Sequence, residues 1–231
     1  MNKDVIIALD FAGKKEVFDF LSKFNEKRPY VKVGMELYYS EGPDIVRELK
    51  TRGHKVFLDL KLCDIPNTVK KAMSVIGKLD VDMTNVHVFG GKTMMEWAVE
   101  GLCSASDKKP LLLGITQLTS TSQKQMNEEL LIPGDINNFI VEYAKKAKAA
   151  GLSGVVCSAL EASMVHKACG DDFVTVTPGI RFGGAMICDQ KRITTPKDAG
   201  ENSDFIVMGR PITQAENPVA AYDRAVKEFL G

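Results

Sequence analysis

The feature that most constrains this chain is a series of eight short β-branched runs, evenly spaced, with helix-forming stretches between them. They are Asp4–Asp10, Tyr30–Gly34, Lys55–Lys61, Asp82–Val88, Leu111–Thr116, Gly154–Ser158, Phe173–Thr177 and Asp204–Met208. From first to eighth the runs recur roughly every 29 residues, about one strand–helix unit, since a parallel crossover alone takes a dozen or more residues. Runs this short and this rich in Val and Ile suit parallel strands buried on both faces. Eight such units in 231 residues predict one (β/α)8 barrel, of the TIM-barrel class, as a single domain over 1–231. An open doubly wound sheet is the alternative and would usually need fewer strands.

The intervening stretches carry helical signals. Asn137–Ala150 places Phe139, Ile140, Tyr143, Ala144 and Ala147 on one stripe, with lysines opposite. Asn217-Pro218 is a cap residue followed by proline at the first helical position, and Val219, Tyr222, Val226 and Phe229 then share a face. Thr195-Pro196 repeats that start signal for a shorter helix.

Composition excludes several classes. The chain has 30 Lys plus Arg against 30 Asp plus Glu, with no basic excess for a nucleic-acid partner. No apolar run approaches the 18 or so residues of a membrane span, and the N-terminus does not read as a signal peptide. The five cysteines (Cys63, Cys103, Cys157, Cys169, Cys188) form no CxxC pair, which suits a reduced cytoplasmic protein. His54, His87 and His166 show no metal-ligand spacing; His54 reads as a surface residue and His87 as lying near the end of the fourth strand. Gly91-Lys92-Thr93 imitates the tail of a phosphate-binding P-loop, but the required earlier glycine is Val86. The single Trp97 falls on a helix and reads as packing.

Charge inside the strands is the informative anomaly, because a buried parallel strand should carry none. Asp10 ends the first run, Lys32 lies within the second, Asp59 and Lys61 end the third, and Asp64 follows three residues later. Residues two apart on a strand face the same side, so Asp59 and Lys61 both point into the barrel mouth or both toward the helices. The helix side would strand two ionised groups in an apolar layer at a cost of several kcal/mol each. The mouth lets them meet Lys32 and Asp10. A purely structural salt-bridge network closing the barrel top is the competing reading. It would be a poor stabiliser, since buried ion pairs gain little.

The loop after the seventh run reads Thr177-Pro178-Gly179-Ile180-Arg181, and the eighth ends Met208-Gly209-Arg210-Pro211-Ile212. Barrels frequently bind phosphate at these two loops. Exposed glycine amides and an arginine fork suit an anion; a glycine-rich turn with a solvated arginine is the plainer alternative.

The string Asp59-Leu60-Lys61-Leu62-Cys63-Asp64-Ile65-Pro66-Asn67-Thr68 resembles the orotidine 5'-phosphate decarboxylases in their short bacterial form. Supporting matches run in order along nearly the whole chain: Ala8-Leu9-Asp10, Val31-Lys32-Val33-Gly34, Leu118-Thr119-Ser120, Thr177–Arg181 and Gly209-Arg210-Pro211-Ile212. Cys63 departs from the histidine usual there, at a position that is not a ligand in the family. The resemblance implies a (β/α)8 barrel that works as a homodimer, without metal or organic cofactor, on orotidine 5'-phosphate to give UMP. It implies that Lys61 donates the proton, that Asp59 faces the substrate carboxylate, and that Lys32 completes the charge network. Asp10 would hold a ribose or base group and Thr119 the pyrimidine. Gln190, Arg210 and the Gly209 amide would hold the phosphate, with Arg181 supporting a closing loop through Gln190. Asp64 and Thr68 would reach the partner's site.

Three rivals share parts of this pattern. A sugar-phosphate decarboxylase of the 3-keto-gulonate 6-phosphate type has the same D-x-K-x-x-D string but uses magnesium; the Ile65–Thr68 continuation favours the pyrimidine enzyme. A Schiff-base aldolase would use Lys61 or Lys32 as nucleophile. A non-catalytic nucleotide binder would have no need of the intact Lys32, Asp59, Lys61 and Asp64.

Overall fold

A computed structural model describes residues 3–105, 108–183 and 194–231. All eight predicted strands form: β1 (Asp4–Ala8), β2 (Tyr30–Val33), β3 (Val56–Leu62), β4 (Met83–His87), β5 (Leu111–Ile115), β6 (Gly154–Val156), β7 (Val174–Thr177) and β8 (Phe205–Met208). Each pairs in parallel with its sequence neighbour, and β8 closes on β1 through Asp4↔Phe205 to Ile7↔Met208. The result is the expected closed (β/α)8 barrel. Most observed strands are a residue or two shorter than the apolar runs, because ladder pairing stops where the chain turns over the barrel rim.

Strand alternation sorts side chains into two cores. Ile6, Ala8, Tyr30, Phe57, Met83, Leu113, Val174, Val176, Phe205 and Val207 fill the barrel interior. The opposite face of each strand, with Val5, Ile7, Val31, Leu58 and Val86 among others, packs against the surrounding helices. This is a packed interior rather than a pore, so a ligand has room only above it.

Side-chain caps mark several helix starts, two of them at the predicted Asn217 and Thr195. Asp135 accepts from Asn137 N and Asn138 N at the head of Ile136–Ala149, which buries Ile140, Ala144 and Ala147 and half-buries Phe139 and Tyr143. Asn217 accepts from Ala220 N at 3.1 Å ahead of Pro218–Leu230, and Thr195 caps Pro196–Ala199. Helices Pro66–Gly77 and Lys92–Cys103 touch closely at Gly101, where an added Cβ would lie 2.1 Å from the Lys70 carbonyl oxygen. Trp97 is on the second of these helices, only partly packed, with Lys70 over its ring.

One expectation is overturned. His54 is buried rather than on the surface, and its Nδ1 lies 2.9 Å from the Pro29 carbonyl oxygen. The short turn that delivers it to β3 folds the ring under the barrel, where that carbonyl satisfies one nitrogen. Burial, foremost, holds its pKa below the usual 6.5. His87, as expected, is the last residue of β4.

Candidate active site

The carboxyl ends of the strands surround a cavity of about 310 Å³. Its apolar floor is the top of the interior core, with Ala8, Phe57, Ile115, Val156 and Val207. Asp10, Lys32, Asp59 and Lys61 line one side, Gln117 to Ser120 another, and Gly179, Arg181, Gly209 and Arg210 a third. The chemistry-bearing residues therefore come from loops or strand ends after β1, β2, β3, β5, β7 and β8, as the barrel geometry demands.

The charged side forms a chain of alternating sign. Asp10 Oδ1 lies 3.2 Å from Lys32 Nζ, Lys32 Nζ 3.5 Å from Asp59 Oδ2, and Asp59 Oδ1 2.7 Å from Lys61 Nζ. Lys32 and Asp59 are buried, Lys61 is half-buried, and Asp10 is open to the mouth. Burial pushes the Asp59 carboxyl up, but the Lys32 and Lys61 ammonium groups and hydrogen bonds from Lys61 and Asn85 outweigh it. Its pKa ends below the ordinary carboxylate value, so Asp59 is an anion at neutral pH. Room for the Asp10–Lys32 end depends on Gly34, where a Cβ would stand 3.1 Å from Lys32 Nζ and 3.6 Å from Asp10 Oδ1.

Asp59 and Lys61 do face the mouth together, though not by simple alternation. Lys61 adopts a left-handed backbone conformation, φ +53°, within a register shift between Leu58 and Leu62. A non-glycine residue there carries backbone strain. Asn85, buried on β4, accepts from Lys61 N at 2.7 Å and donates to Asp59 Oδ1 at 2.7 Å. Sequence reasoning passed over Asn85, although a polar residue in a buried parallel strand is the same anomaly that exposed Asp59.

The sequence matches the orotidine 5'-phosphate decarboxylase / HUMPS family over residues 3–225. It is 52% identical to the orotidine 5'-phosphate decarboxylase of Bacillus cytotoxicus, covering 100% of this chain and 99% of that one. Its counterpart in Geobacillus sp. (strain WCH70) is 51% identical, with 100% and 98% covered. Among solved structures, orotidine 5'-phosphate decarboxylase from Lactobacillus acidophilus superposes with a TM-score of 0.90 at 40% identity, covering 100% of both chains. The chain belongs to the orotidine 5'-phosphate decarboxylase family.

Against the residues that the resemblance to these decarboxylases singled out, the placement is uneven. Asp10, Lys32, Asp59, Lys61, Thr119, Arg181, Gly209 and Arg210 all line the one cavity. Gly179, at φ +83°, turns the chain toward Arg181, whose guanidinium donates to the Ile180 carbonyl at 2.9 Å. Gly209 precedes the short helix Arg210–Thr213, and a Cβ on it would stand 3.4 Å from Asp10 Oδ2. Asp64 and Thr68 are exposed and do not line the cavity; Asp64 Oδ1 accepts from Ile65 N at 2.6 Å. Asp10, not Asp64, is the second carboxylate in the ion-pair chain of the described residues. Gln190 lies outside the described residues. Gln117, Leu118 and Ser120 were not singled out as site residues and also line the cavity beside Thr119.

Among the described residues no group of three His, Cys, Asp or Glu is placed to hold a metal ion. No helix among them is long and apolar enough to cross a membrane.

Proposed function

We propose that this chain converts orotidine 5'-phosphate to UMP and carbon dioxide in pyrimidine nucleotide synthesis, with Lys61 as the proton donor. The observation that carries this reading is the Asp10–Lys32–Asp59–Lys61 chain on one side of a cavity whose other side is Gly179, Gly209 and Arg210.

Breaking the bond from C6 to the carboxylate leaves an electron pair in the plane of the ring, where the π-system cannot absorb it. The protein must meet that charge electrostatically, with groups already in place. Lys61 brings an ammonium held by Asp59, above a floor of Phe57, Ile115 and Val156 that keeps the local dielectric low. As carbon dioxide departs, Lys61 Nζ gives its proton to C6, and the amine regains one from solvent. Asp59 faces the leaving carboxylate. Lys32 completes the charge network, Asp10 holds a ribose or base group, and Thr119 contacts the pyrimidine. Arg210, the Gly209 amide and Gln190 bind the phosphate, with Arg181 in support; a guanidinium fork suits a dianion. Binding energy from that remote anion can organise the reacting centre.

The same reading includes a homodimer. Met35, Ile65 and Phe89 are exposed apolar side chains just past the ends of the adjacent strands β2, β3 and β4. Asp64 and Thr68 lie beside Ile65 on that rim, where they would reach the partner's cavity. The proposed setting is the cytoplasm, and none of the described cysteines is in a disulfide.

The deciding measurement is loss of ultraviolet absorbance when the protein meets orotidine 5'-phosphate in the presence of a chelator. Turnover is expected; no turnover with or without magnesium would sink the reading, and magnesium-dependent decarboxylation of 3-keto-gulonate 6-phosphate in its place would favour the sugar-phosphate type. Mixing an Asp64→Ala chain with a Lys61→Ala chain is expected to restore part of the activity. No restoration would remove Asp64 from the partner's site.

A further inference from the structure

We infer that Asn85 is a positioning residue for the decarboxylation, holding both the carboxylate of Asp59 and the backbone that aims Lys61. The inference rests on the decarboxylase reading and adds to it a residue that does not line the cavity.

The geometry begins with a broken ladder. Between Leu58↔Thr84 and Leu62↔Val86, β3 advances four residues while β4 advances two. Asn85 is the β4 residue opposite this excess. A regular parallel ladder would pair the Lys61 amide with a backbone carbonyl. Here it donates to the Asn85 side-chain oxygen instead, at 2.7 Å, with Lys61 in the left-handed region. Such a conformation persists only where its surroundings over-determine it.

The other end of the same amide is equally committed. Asn85 Nδ2 donates to Asp59 Oδ1 at 2.7 Å, the oxygen that also receives Lys61 Nζ. Asn85 thus ties together the two ends of one ion pair, the carboxylate directly and the ammonium through its backbone. Few side chains can do this, since the role needs one acceptor and one donor on a short, planar, neutral group. Ionised aspartate lacks the donor, leucine has neither, and serine is shorter. Asn85 is fully buried above Met83 on the interior face of β4, so no solvent substitutes for either bond.

A bond that only closed a gap in the sheet would affect stability alone. A positioning role moves the turnover of molecules that are folded and bind ligand. The test compares kcat on orotidine 5'-phosphate, affinity for UMP and melting temperature in the native protein, Asn85→Ala and Asn85→Asp. UMP has no carboxylate at C6 and so reports the cavity without the departing group. A misplacement of about 1 Å at the reacting centre costs roughly 100-fold in rate. A fall of that order in kcat per folded molecule is expected for Asn85→Ala, with UMP affinity within about 3-fold of native. Asn85→Asp keeps the acceptor for Lys61 N but sets a second carboxyl against Asp59, either ionised and repelling it or sharing a proton with it and lowering its charge, so it too is expected to turn over slowly while binding UMP. If Asn85→Ala does not fold, Asn85→Asp alone decides the matter. A folded variant whose kcat stays within a few-fold of native overturns the inference, as does a parallel loss of kcat and UMP affinity. Native protein that fails to turn over the substrate would instead overturn the decarboxylase reading itself.

Discussion

The two rims of this barrel use carboxylates in opposite ways. At the amino-terminal rim, Asp82 precedes β4 and its Oδ2 accepts from Val56 N at 2.7 Å and from Lys50 Nζ at 2.6 Å. Asp204 precedes β8, and its Oδ2 accepts from Thr175 N and Thr175 Oγ1, with His166 Nε2 3.1 Å away. Both carboxylates are occupied by backbone amides of the neighbouring strand and fasten strand to strand. At the carboxyl-terminal rim, Asp59 is held by two ammonium groups and one side-chain amide, and it borders a cavity. A carboxylate bonded to main chain cannot let go without opening the sheet. One bonded to lysine side chains can share them with a ligand. The identity of the donor, more than burial or charge count, separates fastening from chemistry.

This contrast is open to direct attack. The largest expected effect is at the upper rim, where Lys61→Ala should lose decarboxylation by roughly 1,000-fold or more, the scale of removing a charge-stabilising donor. Its melting temperature should stay close to native, because the side chain bonds Asp59 of its own strand and the backbone bond to Asn85 is kept. Activity near native would end the assignment of Lys61 as proton donor. Next comes Arg210→Ala, which should weaken UMP binding by roughly 10- to 100-fold, the value of a lost charged hydrogen bond. Calorimetric titration with UMP checks it, and unchanged affinity would move the phosphate elsewhere.

The lower rim should respond in the other currency. Asp204→Ala leaves the buried Thr175 amide unpaired and should cost about 1–3 kcal/mol in denaturant unfolding, with kcat within a few-fold of native. A large loss of kcat there would erase the distinction between the rims. The smallest effect concerns His54, whose pKa burial holds below 6.5. As pH falls below 6.5 the unfolded chain takes up a proton before the folded one does, so stability present above that pH is lost. Replacing His54 with Gln should flatten the fall in melting temperature between about pH 6.5 and 5 without changing turnover.

The strands were legible because burial on both faces leaves parallel strands as continuous apolar runs, and β-branched residues mark them. Asp10, Lys32, Asp59 and Lys61 were legible for the complementary reason: a charge in such a strand must be reconciled with a cavity or a partner. Less visible was how Lys61 gets there. Alternation led to the right face, yet the left-handed residue and the register shift arise from a side chain on another strand, and no local pattern announces them. Asn85 is harder to see because it carries no charge, although any polar side chain in a buried run calls for the same reconciliation. His54 was misjudged since its polar neighbours Arg52 and Lys55 suggest a surface turn, while the carbonyl that accommodates it comes from Pro29, far back in sequence.

The closure of β8 on β1 has a consequence for the order in which a newly made chain gains function. Asp10, Lys32, Asp59 and Lys61 all fall within the first 61 of the 231 residues, whereas Gly209 and Arg210 come about 150 residues later. The last strand is also the one that seals the barrel, setting Gly209 beside Asp10. A chain whose β8 has not yet closed on β1 therefore has the proposed catalytic lysines without the proposed anion grip. Closure of the barrel and completion of the proposed site are thus one event.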